Sequence, residues 1–385
     1  MNKKIIKLNI YKFIILMYIC MLYSFYEMRI FVEAALFYFL GFYAITRKKF
    51  PTKYILWNCM FISMCMISLL WSKDIKQSII QTRIMVECAI VGNLIISFID
   101  DKNKMLFIYN SFVIAGISLL IRLIITVPMS TWGSGRIATE ALNSNTIGMY
   151  LAISILFAIQ LIKCTNNKKY IFIVITFSIV ILLTGSRKAF FMLLAGMFIL
   201  YYLNSSKISY KLMIILIMSI MIIISYNLIM DIPDLYNVLG IRIEEMINTF
   251  TGRGSIDYST RERLSMIKVG MQLFKENPLI GYGIGSYSEI SGFWKYAHNN
   301  YIELLVGVGL IGTIIYYSIY VYIVIKLLFK RKEYEFNVLI ALVPIVLIMD
   351  FALVSYSDEV YQLLIAISMA AISINTYINK SIISV

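Results

Sequence analysis

Apolar stretches of about 20 residues recur along nearly the whole chain, and this recurrence limits the possible folds more than any other feature of the sequence. A helix needs about 20 mostly apolar residues to cross a hydrocarbon core of roughly 30 Å. In lipid every backbone N–H and C=O must find a partner inside the protein, so a run of that length becomes a helix. The stretches fall at 10–27, 30–46, 54–71, 79–99, 105–127, 145–163, 168–185, 188–204, 211–230, 299–328, 335–354 and 359–378. They predict an all-α polytopic membrane protein of about 12 transmembrane helices. The seventh and eighth are short and close together, as in a bent or re-entrant pair. Composition rules out a soluble alternative. Of 385 residues 60% are hydrophobic and 15% charged, against roughly 45–50% and about 25% in a soluble domain.

The net charge of +14 suggests nucleic acid, but the placement of the charge argues against that partner. No basic stripe with interleaved aromatics occupies a polar face. Lys and Arg collect instead in alternate short loops. With the N-terminus inside, the inner segments hold about 20, among them Lys3, Lys4, Arg47, Lys48, Lys102, Lys168, Lys330 and Arg331. The short outer loops hold about 6: Arg29, Lys73, Lys76, Arg136, Arg187 and Lys188. That bias is the positive-inside rule and puts both termini in the cytoplasm. The basic start followed by an apolar run lacks a small-residue cleavage site, so an uncleaved first helix is expected. Cys20, Cys59, Cys65, Cys88 and Cys164 lie in spans or at a cytoplasmic end without metal-ligand spacing, so neither disulfide nor zinc is expected.

The reading is of one integral membrane domain over 1–385 with one long outer loop, 231–298, between the ninth and tenth spans. The loop carries Arg242, Arg253, Arg261 and Arg263. Ser259-Thr-Arg-Glu262 has the form of a capping box. Leu264, Ile267, Met271 and Phe274 follow at helical spacing until Asn277-Pro278, which predicts an amphipathic helix at about 260–276. Its apolar stripe should rest on the membrane or on the bundle. Arg261 and Arg263 sit in its first turn, where the helix dipole disfavours cations. Either Glu262 and nearby acids satisfy them, or an anionic ligand does, since guanidinium forks suit phosphate.

The glycines of Gly281-Tyr-Gly283-Ile-Gly285-Ser286 could let backbone amides approach an anion, or could form a tight turn onto the membrane. The segment lacks the strand–loop–helix setting of a dinucleotide site and the Lys of a P-loop. His298, the only histidine, stands in Ala297-His298-Asn299-Asn300-Tyr301, where the outer loop meets a long apolar helix. It is either an interfacial residue satisfied by water or a group that moves a proton near neutral pH. Thr184-Gly-Ser-Arg187-Lys188-Ala189 separates two apolar blocks. Its charges either snorkel to lipid phosphates or serve a site. Gly133-Ser-Gly-Arg136 with Asn143-Ser-Asn145 makes a further outer loop of small and polar residues. Within the spans Arg83, Glu87, Arg122 and Asp350 most need partners, and Arg83 can pair with Glu87 four residues on.

Taken in order, these segments resemble the O-antigen polymerase and O-antigen ligase superfamily. The order is Gly-Arg with a following Asn pair, then Ser-Arg-Lys-Ala between two short spans, then a long outer loop. That loop holds Arg-x-Arg, then Asn-Pro-Leu-Ile-Gly-Tyr-Gly-Ile-Gly-Ser, and closes on His-Asn-Asn-Tyr-Ile-Glu-Leu-Leu-Val-Gly-Val-Gly-Leu-Ile-Gly. The likeness is densest over 259–315. It implies a membrane glycosyltransferase acting on glycans carried on undecaprenyl pyrophosphate, at the outer face of the cytoplasmic membrane of a bacterium. By matching motif it makes His298 the essential histidine. Arg187, Arg261, Arg263 and Arg136 become the pyrophosphate-binding arginines, with Asn299 and Lys188 in support. A late acid, Asp350 or Asp358, is implied as well. Donor and acceptor glycans and the bilayer are the implied partners, with a flippase and a chain-length regulator beside them; no cofactor is implied.

The chemistry agrees with the resemblance. A lipid pyrophosphate is a good leaving group, so the enzyme must bind negative charge and free an acceptor hydroxyl. Arginines suit the first task and a neutral imidazole the second. No metal is needed, and the outer side carries no Asp-x-Asp cluster to hold one. A polymerase of lipid-linked repeat units is the first reading. A ligase that moves a finished glycan to another acceptor is the second. The Lys, Ile and Asn content suggests an AT-rich genome and a source without lipid A, which favours the polymerase. A transporter or flippase would need polar groups across the midplane and a two-fold repeat, and the sequence shows neither clearly.

Overall fold

The computed structural model describes residues 3–47, 51–132, 135–139, 141–205, 207–251 and 258–374. Among them the chain is helical and no strand forms; one isolated bridge joins Trp132 and Gly135. The first nine helices are α1 (Lys3–Ser24), α2 (Arg29–Arg47), α3 (Thr52–Ser68), α4 (Ile75–Phe98), α5 (Lys102–Thr126), α6 (Ser144–Thr165), α7 (Lys169–Thr184), α8 (Arg187–Asn204) and α9 (Ile208–Asp231). The segment that follows holds α10 (Pro233–Leu235), a π turn (Tyr236–Gly240), α11 (Ile241–Thr251), α12 (Tyr258–Glu276) and α13 (Tyr287–Ile290). The chain then returns through α14 (Asn300–Phe329), α15 (Asn337–Met349) and α16 (Glu359–Ser373). Arg253 and the Gly133-Ser134 pair lie outside the described residues.

Six helices among the described residues are long and apolar enough to cross a bilayer: Thr52–Trp71, α4, α5, α6, α9 and α14. Ile10–Ser24, α7, Tyr334–Met349 and α16 are apolar but shorter. α6 forms the core, buried over most of its length and packed against α5, α7, α8 and α15. α16 is buried in the same way against α4, α14 and α15. α9 is the opposite case, with mean hydropathy 2.6 but only Met218 and Ile229 buried. A helix apolar all round with so little buried surface suits a membrane span.

The charged residues of the spans find partners. Arg83 Nε lies 3.3 Å from Glu87 Oε1, and the Arg122 guanidinium sits 5.2 Å above the Phe25 ring. Asp350 is fully buried and accepts from Tyr317 Oη at 2.8 Å and Asn300 Nδ2 at 3.2 Å.

α14 is two helices in one. At Gly309 the backbone turns to φ 64°, ψ −169°. The glycine-rich turn docks into the break: Tyr282 N donates to Val306 O and Gly283 N to Gly307 O, each at 2.8 Å. In return Leu310 N donates to Pro278 O at 2.8 Å and Ile311 N to Leu279 O at 3.2 Å. A Cβ at Gly309 would stand 2.3 Å from Leu279 O, and one at Gly281 would stand 2.5 Å from Val306 O. The turn also meets the α3–α4 corner, where Ile284 N donates to Ser68 Oγ at 3.2 Å and Lys73 N to Tyr282 O at 3.1 Å. These glycines therefore serve backbone packing: the amides of residues 282 and 283 are committed to α14.

α12 matches the expected helix in extent, and the face it packs on the bundle includes Ile267 of the expected stripe but is centred on Met266 and Gly270. Met266 and Gly270 are buried, and Met266 packs with Tyr287, Ala297, Ile302 and Val306. Leu264 and Met271 are exposed. Gly270 explains the phase, because Ile302 of α14 comes within 2.3 Å of where its Cβ would be.

Candidate functional site

The site begins at the corner between α7 and α8. α7 ends in a left-handed Gly185 (φ 60°), where a Cβ would lie 2.6 Å from Val238 O of the π turn. Ser186 then caps α8, accepting from Ala189 N at 3.3 Å, and this places Arg187 and Lys188 in the first helical turn. Arg187 Nη1 donates to Arg242 O at 2.8 Å, so it turns into the protein and ties α8 to α11. Lys188 Nζ donates to Ala352 O. Arg136 donates through Nε to Thr184 O at 3.2 Å and through Nη2 to Asn145 Oδ1 at 2.9 Å. The same Asn145 oxygen accepts from Ser186 Oγ at 2.9 Å, clipping the N-terminal end of α6 to this corner.

Arg263 arrives from α12. It stands three and seven residues before Met266 and Gly270, so it shares their inward face. Arg136, Arg187, Lys188, Arg242 and Arg263 line one cavity of about 110 Å³, with Asn145 and Glu245. The Arg136 guanidinium is pushed down to about 10, first by burial and then by Arg242, Arg263 and Arg187. It stays charged at neutral pH. Arg261 is exposed and does not line this cavity. Two residues apart on a helix means opposite faces, so the Arg-x-Arg motif sends only its second member inward. Glu262 pairs with Lys295 at 3.0 Å.

A larger cavity of about 810 Å³ shares Lys188 and Asn145 with the first. His298, Glu303, Tyr150, Tyr296 and Asp358 line it. His298 has a left-handed backbone (φ 51°) and is fixed from both sides. Before it, Ala297 N donates to Glu303 Oε2 at 2.8 Å. After it, Asn299 caps α14 by accepting from Ile302 N at 3.1 Å. Asn300 N donates to Asp350 O at 2.7 Å, while its Oδ1 accepts from Ser355 N and Tyr356 N at 3.0 and 3.1 Å. The imidazole is half-buried against the Tyr296 ring, with centroids 4.2 Å apart. It makes no hydrogen bond among the described residues. Burial, then Arg263 and Lys188, lower its pKa to about 4 against a weaker pull from Glu262. It is therefore neutral at pH 7.

The two late acids differ in position. Asp358 lines the large cavity, caps α16 through Val360 N at 3.0 Å and accepts from Tyr150 Oη at 3.2 Å. Burial and then Glu359 push it up to about 7. Asp350 lines neither cavity and instead fastens the segment after α15 to the start of α14. Asn299 likewise acts as a helix cap, and its Nδ2 donates to Phe351 O at 3.3 Å.

Arg242 and Glu303 belong to this constellation; the sequence counted Arg242 among the loop's arginines without assigning it to the site, and did not single out Glu303. Arg242 had a legible signal, an arginine three residues before Glu245 on a short amphipathic segment. Glu303 had a weaker one, an acid one turn into an apolar helix directly after the lone histidine.

Residues 172–317 match the family model of O-antigen ligase. That stretch contains Arg187, Lys188, Arg242, Arg263 and His298, while Arg136 and Asp358 lie on either side of it. A comparison with curated proteins finds no match. The stretch that carries the α7–α8 corner, the helices after α9 and the histidine thus matches the O-antigen ligase family model, and this supports the resemblance to the O-antigen ligase and polymerase superfamily.

Proposed function

We propose that this protein is a polysaccharide polymerase. It joins oligosaccharide repeat units carried on undecaprenyl pyrophosphate, at the outer face of a bacterial cytoplasmic membrane, with both termini inside. Members of the superfamily are glycosyltransferase-like enzymes whose substrates are lipid-linked glycans. The observation that carries the finer reading is the junction of the two cavities. A small pocket lined by four arginines shares Lys188 and Asn145 with a large cavity lined by His298. The first suits a pyrophosphate, because guanidinium forks grip phosphate oxygens in pairs. The second has room for sugars.

In this mechanism the acceptor hydroxyl attacks the anomeric carbon of the donor sugar. The bond from that carbon to the phosphate oxygen breaks, and the pyrophosphate leaves with the electron pair, still attached to its lipid. Arg136, Arg187, Arg242 and Arg263 stabilise the charge that builds on it. His298 takes the hydroxyl proton. An imidazole with a pKa of about 4 is a weak base while the site is empty. A bound pyrophosphate offsets Arg263 and Lys188 and raises its proton affinity. The base gains strength when the donor arrives.

The test uses purified protein and the lipid-linked repeat unit, with a strong chelator present. Wild type should form polymer, and His298→Ala should lower the rate about 100- to 10,000-fold while still inserting and binding donor. Polymer of normal amount and length from His298→Ala would overturn the catalytic assignment. A ligase is the second reading, favoured by the description of the matching family. It would make no polymer from the repeat unit alone and would need a separate acceptor.

A further inference from the structure

Several features of the large cavity play no part in this chemistry. At the outer end of α4, Asp74 caps the helix by accepting from Gln77 N at 3.0 Å. Gln77 and Gln81, one turn apart, share a face and both line the cavity. Their side-chain amides make no hydrogen bond among the described residues, and Gln81 Oε1 is buried. Buried side-chain acceptors nearly always have a partner, so an orphan at a cavity wall calls for one from outside. Gly285 gives the pair its room. A Cβ there would lie 3.0 Å from Gln81 Cγ and 3.1 Å from Gln77 Cγ. The bare turn thus lies along both stems.

The same cavity is lined by Trp294, which is 72% exposed and sits at φ 56°. Positive φ is an outlier for so bulky a residue. Its amide is held by donation to Ser288 O at 3.1 Å, yet its ring gains little burial in return. Strain of this kind persists where it serves a site. An open aromatic face beside uncommitted amides suits a pyranose. The C–H face of the sugar lies on the ring, and its hydroxyls both donate to and accept from the amides. The donor sugar is attached to the pyrophosphate and so belongs at the Lys188 junction. Trp294 is four residues from His298, and Tyr296 between them touches the imidazole.

We propose that Gln77, Gln81 and Trp294 form the acceptor-sugar subsite of the large cavity. The proposal rests on the glycosyl-transfer reading and deepens it. The full-length protein is titrated with the oligosaccharide released from the cell's own lipid-linked repeat unit, and separately with inorganic pyrophosphate; polymer formation is assayed alongside. Gln77→Ala and Gln81→Ala should each weaken oligosaccharide binding about fivefold to tenfold. Trp294→Gly should weaken it as much, although glycine relieves the backbone at φ 56°. Trp294→Phe should recover most of the loss. None of these variants should change pyrophosphate binding, whereas Arg263→Gln should weaken pyrophosphate and spare the oligosaccharide. A wild type that forms no polymer from the repeat unit refutes the polymerase reading. A wild type that forms polymer while all three truncations bind oligosaccharide within twofold of it refutes the subsite, as does one that forms polymer but binds no free oligosaccharide.

Discussion

At the scale of residues, the environment of His298 makes a prediction about pH. The depressed pKa of about 4 comes from burial, Arg263 and Lys188. The base form is therefore present above pH 4 and lost as pH falls through that value. The acid limb of kcat/KM reports the free enzyme, and that of kcat the loaded one. The kcat limb should lie at the higher pH, because the bound pyrophosphate cancels nearby positive charge. Limbs at the same pH, both near an ordinary histidine value of about 6.5, would remove the cation crowd from the account. A second prediction separates the two members of Arg-x-Arg. Lysine at 187 or 263 turns a fork into a point charge and should cost at least about tenfold in polymer formed at matched protein level. Arg261→Lys should be close to neutral, since Arg261 stands outside the cavity. Equal losses at 261 and 263 would refute the geometry. The sequence could nominate both arginines and the histidine by residue type and company. It could not say which arginine turned inward, because that depends on the face α12 presents to α14.

At the scale of elements, the break in α14 is the most testable feature. Alanine at Gly281 or Gly309 must adopt a positive φ, which costs roughly 1–2 kcal/mol, and must push its Cβ into a backbone carbonyl. Both variants should melt clearly below wild type in detergent. Leu279→Ser, on the exposed side of the same turn, should change stability by less than about 0.5 kcal/mol. Alanine variants that melt with wild type would show that the turn does not dock as described. The elements themselves were legible, because apolar length and capping signals fix helices locally. Asn143, Ser186, Asn299 and Asp358 each cap the start of a helix at the mouth of the site. The purpose of the glycines was legible only as a choice between an anion cradle and a turn. The choice is made by carbonyls 25 or so residues further on, at Val306 and Gly307, and local sequence carries no information about that meeting.

At the scale of the whole molecule, the charge bias makes a topological prediction. A reporter placed after Lys207 should behave as cytoplasmic, and one at the exposed Gly292 as external; reversal at either point would overturn the threading. The bundle's membership could be read from hydropathy, but its interior could not. α6 and α9 are both strongly apolar, yet α6 is the buried core while α9 is exposed along most of its length. Lipid and protein are equally apolar surroundings, so hydropathy alone does not tell them apart. The crowding of Arg136, Arg187, Arg242, Arg263 and Lys188 around one small cavity has a consequence for how the protein is handled. The cations of this cavity outnumber Glu245, the one carboxylate in its lining, so a bound anion adds favourable contacts to the folded state. An anion that binds only the native protein adds about 2.7 kcal/mol at a hundred times its Kd. The melting temperature should therefore act as an occupancy gauge, rising with pyrophosphate at constant ionic strength and staying level with chloride. Neutralising Arg242 to Gln should blunt that response.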